Sequence, residues 1–322
     1  MSTNTHHANA HSANTHLKNF TFIHLADCHL GSWREDTLRR VGFESFAYVI
    51  DEAKKRKVDF VLIAGDLFNT ALPAIDVLRD TVTKLHELRD AGIPVYIIAG
   101  SHDYSPTGKT MLDVLEEAQL VKNTLIGDVE SEELKLQFIV DKKTGVKLCG
   151  ILGRAQGLEK QHYELLDRSA LEAEDGFKIF MFHTTISELK PAEMADAVST
   201  ELSYLPKGFN YYAGGHVHIR CIKDVEQFGR VVYPGPTFPN NFSEIEKLDC
   251  GSFVFNSFSD GTLTSTEELI KLHPHVGLSV DVSGLSADGA TQKIISCKEK
   301  IVANKSDSDN GNSSIIVTLR VI

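Results

Sequence analysis

Two uninterrupted apolar runs, FVLIA at 60–64 and VYIIA at 95–99, constrain this chain more than any other feature. A strand that is apolar at every position must be covered on both faces. Each run follows a stretch of helical period. From about 36 to 57, Leu38, Val41, Phe46, Val49, Ile50 and Ala53 recur at three- to four-residue spacing. Between 74 and 91, Ile75, Leu78, Val82 and Leu85 make one stripe, stopped by Gly92 with Pro94 shortly after. Residues 21–25 read as a strand before the first helix. The β-α-β-α-β order predicts parallel strands joined by right-handed crossovers in a layered α/β fold.

Further along, 134–140 and 146–152 flank DKKTG, which reads as a hairpin turn. A polar helix over about 158–174 leads to a strand at 178–182. Strands follow at 211–214, near 218–222 and 230–233, and at 251–256. From about 274 a Ser/Gly/Asp-rich stretch precedes a helix (291–303) and a final strand (315–322). The expected organisation is a disordered, polar leader over 1–19, a main unit over 20–273 and a small second unit over 274–322. The 322 residues allow that division.

Composition removes several classes. No run approaches the ~18–20 apolar residues of a membrane span. Five scattered cysteines without a CxxC argue against a disulfide framework or a thiolate zinc site, and fit a reducing cytoplasm. A net charge of −11 excludes nucleic-acid binding through bulk positive charge. Contact with phosphate through bound metal ions remains open.

The chemistry lies at the strand ends. Successive β-segments finish in Asp27-Cys28-His29, Gly65-Asp66, Gly100-Ser101-His102-Asp103, His183 and Gly215-His216-Val217-His218. In open α/β sheets, ligands bind just beyond the carboxyl ends of strands. On an extended backbone, Asp27 and His29 point to one face, and so do His216 and His218. Mixed carboxylate and imidazole donors suit Mn²⁺, Fe²⁺ or Zn²⁺ better than Ca²⁺ or Mg²⁺. With one carboxylate shared, the set is large enough for two ions. Two ions ~3.5–4 Å apart can activate a water and brace both oxygens of an in-line phosphoryl displacement. Any one of these histidines alone reads as an ordinary structural residue, and Asp66 alone as a turn or cap residue. The joint order of the five motifs carries the reading.

The motifs DCH (27–29), GDLF (65–68), GSHD (100–103), His183 and GHVH (215–218) resemble those of the calcineurin-like metallophosphoesterase superfamily. The resemblance spans about 20–257. Within it, HLADCHLG, AGDLFNT, IPVYIIAGSHD, GFNYYAGGHVHIR and VVYPGPTF are most similar to the SbcD-like (Mre-eleven-type) DNA exonucleases of double-strand-break repair. The fold so implied is a four-layer α-β-β-α sandwich, with a small C-terminal α+β unit like a reduced capping domain. The implied cofactor is two divalent ions, with manganese the family's preferred metal. Asp27, His29 and His218 would hold one ion, Asp66 would bridge, and His183 and His216 would hold the other. His102 would contact the phosphate, its imidazole oriented by Asp103. Ser101 departs from the family's usual Asn, whose carbonyl serves the second ion, so that ion should bind more weakly here. The implied partners are DNA, a second copy through the two early helices, and a Rad-fifty/SbcC-type ATPase, although no amphipathic segment for docking the ATPase coiled coil follows the tail.

Three functions fit these residues. One is a two-metal phosphodiesterase acting on DNA. Another is a phosphoesterase for small-molecule or protein substrates using the same ions. The third is a weakly active interaction scaffold. The presence of His102 with every ligand position argues against the third, and Ser101 argues mildly for it.

Overall fold

A computed structural model describes residues 18–105, 109–130, 132–154, 158–305 and 315–321. The expected leader over 1–19 lies almost wholly outside the described residues.

The first half alternates as the periodicity requires. Strand β1 (Phe20–Leu25) leads to helix α1 (Asp36–Arg56), β2 (Phe60–Ala64), α2 (Ile75–Asp90) and β3 (Val95–Ile98). Helix α1 starts where the Glu35 carboxylate accepts from the Leu38 N–H, and ends at Lys57 in the left-handed conformation. Helix α3 (Met111–Glu117) and β4 (Lys122–Asn123) follow, then a separate hairpin of β5 (Gly127–Glu130) and β6 (Glu133–Leu136).

Strands β7 (Ile139–Val140) and β8 (Lys147–Ile151) form the expected hairpin around DKKTG. The run at 134–140 is therefore divided: its first part pairs with β5, and only its end pairs with β8. The expected helix over 158–174 is two short ones, α4 (Lys160–Leu165) and α5 (Arg168–Ala173). Leu166 bridges to Leu134 and the Asp167 N–H donates to the Leu134 carbonyl, so tertiary pairing interrupts the helix. Then come β9 (Lys178–His183), β10 (Tyr211–Gly215), β11 (Arg220–Val225), β12 (Gly229–Pro234), α6 (Phe242–Leu248), β13 (Gly251–Ser259) and β14 (Thr262–Ile270).

The strands form two six-stranded sheets, in the orders β14-β13-β1-β2-β3-β4 and β11-β12-β10-β9-β8-β7. The pairs β1–β2, β2–β3, β8–β9 and β9–β10 are parallel. Three apolar layers show how the sheets stack. Phe46, Val49 and Ile50 of α1 and Leu85 and Leu88 of α2 pack on Ile23, Val61 and Ile97. Phe22, Phe60, Leu62 and Tyr96 face Leu148, Ile179, Met181 and Tyr211 of the other sheet. Tyr163 and Leu171 cover Cys149, Phe180, Phe182 and Tyr212 from outside. This is the expected α-β-β-α sandwich. It also explains the all-apolar strands: each face of β2 belongs to a different core layer.

The tail holds β15 (His275–Val280), α7 (Ala287–Lys305) and β16 (Ile316–Val321), with β15 and β16 paired in parallel. It meets the main body where Arg320 pairs with Glu246 and where His275 Nδ1 lies 3.3 Å from Asp249 Oδ1. No described helix is long and apolar enough to cross a membrane.

Candidate metal centre

The two sheets bring their carboxyl ends together. The loops after β1, β2 and β3 contribute Asp27, His29, Asp66, Ser101 and His102. The other sheet contributes His183 at the end of β9, and His216 and His218 just beyond β10. The β1 and β2 loops are joined by backbone hydrogen bonds: Asp27 N–H to the Gly65 carbonyl, His29 N–H to the Asp66 carbonyl and Leu30 N–H to the Leu67 carbonyl.

The way these side chains converge corrects the extended-strand expectation. Asp27, His29, Asp66, His216 and His218 all have positive φ, at 51°, 42°, 51°, 94° and 21°. Non-glycine residues adopt this region rarely, and such strain collects at functional sites. Left-handed turns, not strand alternation, aim the D-x-H and H-x-H pairs inward. Glycine admits the close approach: a Cβ on Gly100 would lie 2.1 Å from Asp66 Oδ1, and one on Gly65 2.1 Å from His183 Nδ1.

Three clusters of donor atoms result: Asp27–His29–His218, His29–Asp66–His102 and Asp27–Asp66–His183. His29 Nε2 lies 3.0 Å from His218 Nε2 and 3.6 Å from Asp66 Oδ2. His183 Nε2 lies 3.1 Å from Asp66 Oδ2 and 4.0 Å from Asp27 Oδ1. His216 enters none of the three clusters. Its ring packs against that of His183, and its N–H donates to both Asp27 oxygens at 2.9 and 3.1 Å. Ser101 Oγ donates to Asp66 Oδ2 at 3.4 Å.

The donor set fits divalent metal. Asp27, Asp66, His29 and His183 are all buried, and among the described residues no lysine or arginine pairs with either carboxylate. Burial disfavours charge on Asp66 and His183 alike. Their mutual attraction overcomes it, raising the His183 pKa to about 10 and pushing that of Asp66 well below the usual carboxylate range. Two buried carboxylates set among imidazoles form a donor set that divalent ions suit. Two imidazole nitrogens 3.0 Å apart also match neighbouring donors at ~2.1 Å from one ion.

The expectation that Asp103 orients His102 is corrected. His102 Nδ1 lies 2.8 Å from the Asn69 carbonyl, and that bond sets the ring. The buried Asp103 carboxylate instead accepts from the N–H groups of Leu67, Phe68 and Gly100 at 3.2, 3.0 and 3.0 Å. Burial pushes its pKa up to about 6, against the three N–H donors. Its role is to clamp the two loops that carry Asp66 and His102. His102 is exposed, unlike the donors beneath it, so substrate can reach it.

Sequence reasoning missed Glu244. Its Oε2 lies 3.0 Å from His218 Nδ1, and its carboxylate also accepts from the Asn240 N–H and the Asn241 side chain. A carboxylate behind a metal-binding imidazole fixes its orientation and raises its basicity. The signal was Asn-x-x-Glu at 241–244, a helix-start pattern in which Asn241 caps α6.

A sandwich with a carboxylate–imidazole cradle astride two sheet edges defines a metal-dependent phosphoester hydrolase. Residues 20–220 match the family model described as calcineurin-like phosphoesterase, and the chain belongs to that family. Proteins named "DNA double-strand break repair protein Mre11" are similar to it. The one from Saccharolobus solfataricus is 26% identical over 92% of this chain and 74% of its own length. The one from Methanococcus maripaludis is 27% identical over 70% of this chain and 59% of its own. The metallophosphoesterase YhaO of Bacillus subtilis is 30% identical over 71% of this chain and 55% of its own. The chain thus spans little more than half the length of several of these relatives. A solved dimetal phosphatase from Danio rerio aligns over 78% of this chain and 98% of its own, at 12% identity and a TM-score of 0.48.

Proposed function

We propose that this protein is a two-metal phosphodiesterase that cuts DNA, acting as an exonuclease or endonuclease in double-strand-break repair. The observation that carries the reading is the convergence of Asp27, His29, Asp66, His102, His183 and His218 from separate strand ends of both sheets. The Mre11-named relatives point it towards DNA.

Asp27, His29 and His218 would hold one ion, and His183 and His216, with Ser101 at the rim, would hold the other. Asp66 lies between the two groups and would bridge. Such ions, manganese in the family's pattern, supply Lewis acidity and an activated water. Asp27 and Asp66 provide the negative charge that retains them. The Nδ1–H of His102 donates to the Asn69 carbonyl, which leaves Nε2 to contact the phosphate; in the doubly protonated ring, Nε2–H would give its proton to the departing oxygen. The clamp at Asp103 keeps the His102 and Asp66 loops in register.

We read 20–273 as the catalytic core and 274–322 as a small capping unit. A second copy and a Rad-fifty/SbcC-type ATPase accompany this proposal as what the motif resemblance implies, and a cytoplasmic location as what the scattered cysteines fit. The test is metal analysis of the purified protein, with hydrolysis of short duplexes and of a nitrophenyl phosphodiester compared with and without Mn²⁺. Mn²⁺-dependent cutting of the duplex supports the reading. Hydrolysis of the nitrophenyl ester alone would favour a small-substrate phosphoesterase.

A further inference from the structure

Among the described residues, one arginine next to Gly153 has no carboxylate at ion-pair distance. Arg154 follows β8, one residue after Gly153, and that glycine is pressed against the site: a Cβ there would lie 2.4 Å from His183 Cδ2. The Gly153 N–H donates to the Ala99 carbonyl, immediately before the Gly100–Asp103 loop. Arg154 reaches across to that same loop. Its guanidinium lies 4.9 Å from the ring centroid of Tyr104, and Nη2 donates to the Tyr104 hydroxyl at 3.1 Å.

Arg39, Arg56, Arg220, Arg230 and Arg320 each pair with a carboxylate. Arg154 forms no ion pair among the described residues, and its Nε is buried without a hydrogen-bond partner. An arginine carries five N–H donors, and the bond to Tyr104 uses one. Half-burying a guanidinium without an anion is unfavourable unless an anion arrives. Stacking on Tyr104 holds the planar group in place and leaves Nη1 and the second Nη2 hydrogen without a partner among the described residues. Its backbone neighbour Gly153 lies against His183, and its guanidinium lies on Tyr104, two residues after the exposed His102. In a chain of net charge −11, a fixed cation there offsets repulsion of an anionic substrate.

We propose that Arg154, held by Tyr104, is a phosphate-binding residue that grips the non-bridging oxygens of the reacting phosphoryl group. The inference rests on the phosphoester reading but not on DNA being the substrate. It places the grip on the His183–Ser101 side, where the serine leaves the set of neutral donors weakest.

The test uses the full chain loaded with Mn²⁺ and inorganic phosphate as the probe. Arg154→Met keeps an unbranched apolar stem and removes the guanidinium with its donors. Arg154→Lys keeps the charge and loses the fork. Phosphate binding, measured by calorimetry, should weaken about 10- to 100-fold in Arg154→Met, the range expected for a charged hydrogen bond, and by less in Arg154→Lys. The KM for bis(4-nitrophenyl) phosphate should rise in parallel with little change in kcat, because the grip is present before and during reaction. Mn²⁺ affinity and thermal unfolding should be unchanged. Phosphate binding equal to that of the parent would overturn the proposal. So would losses of Mn²⁺ affinity or Tm as large as the loss of phosphate binding, since Arg154 would then be a structural strut. If phosphate binding falls as expected but the parent cuts no DNA, the nuclease reading fails and this assignment stands.

Discussion

The two halves of the cradle are braced in different ways. In the half formed by Asp27, His29 and His218, a carboxylate stands behind an imidazole: Glu244 lies 3.0 Å from His218 Nδ1. Asp27 is held there by the His216 N–H on both oxygens. In the half formed by Asp66, His183 and His216, the imidazole is backed by a neutral group, the Ala64 carbonyl, 2.8 Å from His183 Nδ1. Ser101 sits on the same side, its hydroxyl directed to Asp66. A carboxylate behind a ligand raises its basicity more than a carbonyl does. The difference teaches that groups behind the donors, together with one donor at the rim, can give two adjacent ion positions unequal affinity. The first half should fill at lower metal concentration than the second.

The comparison can be broken most severely at the group the halves share. Asp66→Asn removes the buried charge between them and should cost several kcal/mol of ion-derived stabilisation, on the order of 10³-fold or more in phosphodiester hydrolysis. Retained activity in a Mn²⁺-dependent assay would show that Asp66 bridges nothing. Next in size, His102→Gln should lower kcat by about 10²- to 10⁴-fold, the usual worth of a positioned acid, and leave Mn²⁺ affinity unchanged. A fall in Mn²⁺ affinity would instead move His102 among the ligands.

Glu244→Gln acts on one half only. It should weaken the tighter Mn²⁺ site by about 10- to 100-fold and spare the other, as read by calorimetric titration. Glutamine keeps an acceptor for the Asn240 N–H, so α6 should hold and Tm should change little. Equal weakening of both sites would remove the asymmetry. The smallest effect is expected from Ser101→Asn. It should tighten the weaker site a few-fold, about the ~1 kcal/mol of one neutral polar contact. No change in the titration would mean that the serine does not limit that half.

Much of this was legible in the chain because burial and chemistry reinforced one another. The apolar strands 60–64 and 95–98 carry their signal in every residue, and the polar residues directly after them stand out by contrast. The left-handed backbone at Asp27, His29, Asp66, His216 and His218 was not legible, because aspartate and histidine give no glycine-like warning of positive φ. Asp103 misled for a related reason. Its neighbour in sequence is His102, yet its oxygens are claimed by the N–H groups of Leu67, Phe68 and Gly100, which only tertiary structure brings near. Glu244 lies 26 positions from His218 and reaches it through a helix of seven residues, too short to announce itself by periodicity. The helix expected over 158–174 broke at Leu166 because a bridge to Leu134 outcompeted local propensity.

The most direct test of the central claim is electron paramagnetic resonance on the protein titrated with Mn²⁺. A cradle that shares Asp66 should bind two ions per chain, and the second equivalent should replace the isolated-ion spectrum with that of a spin-coupled pair ~3.5–4 Å apart. A single bound ion, or two that stay magnetically independent at saturation, would contradict the account.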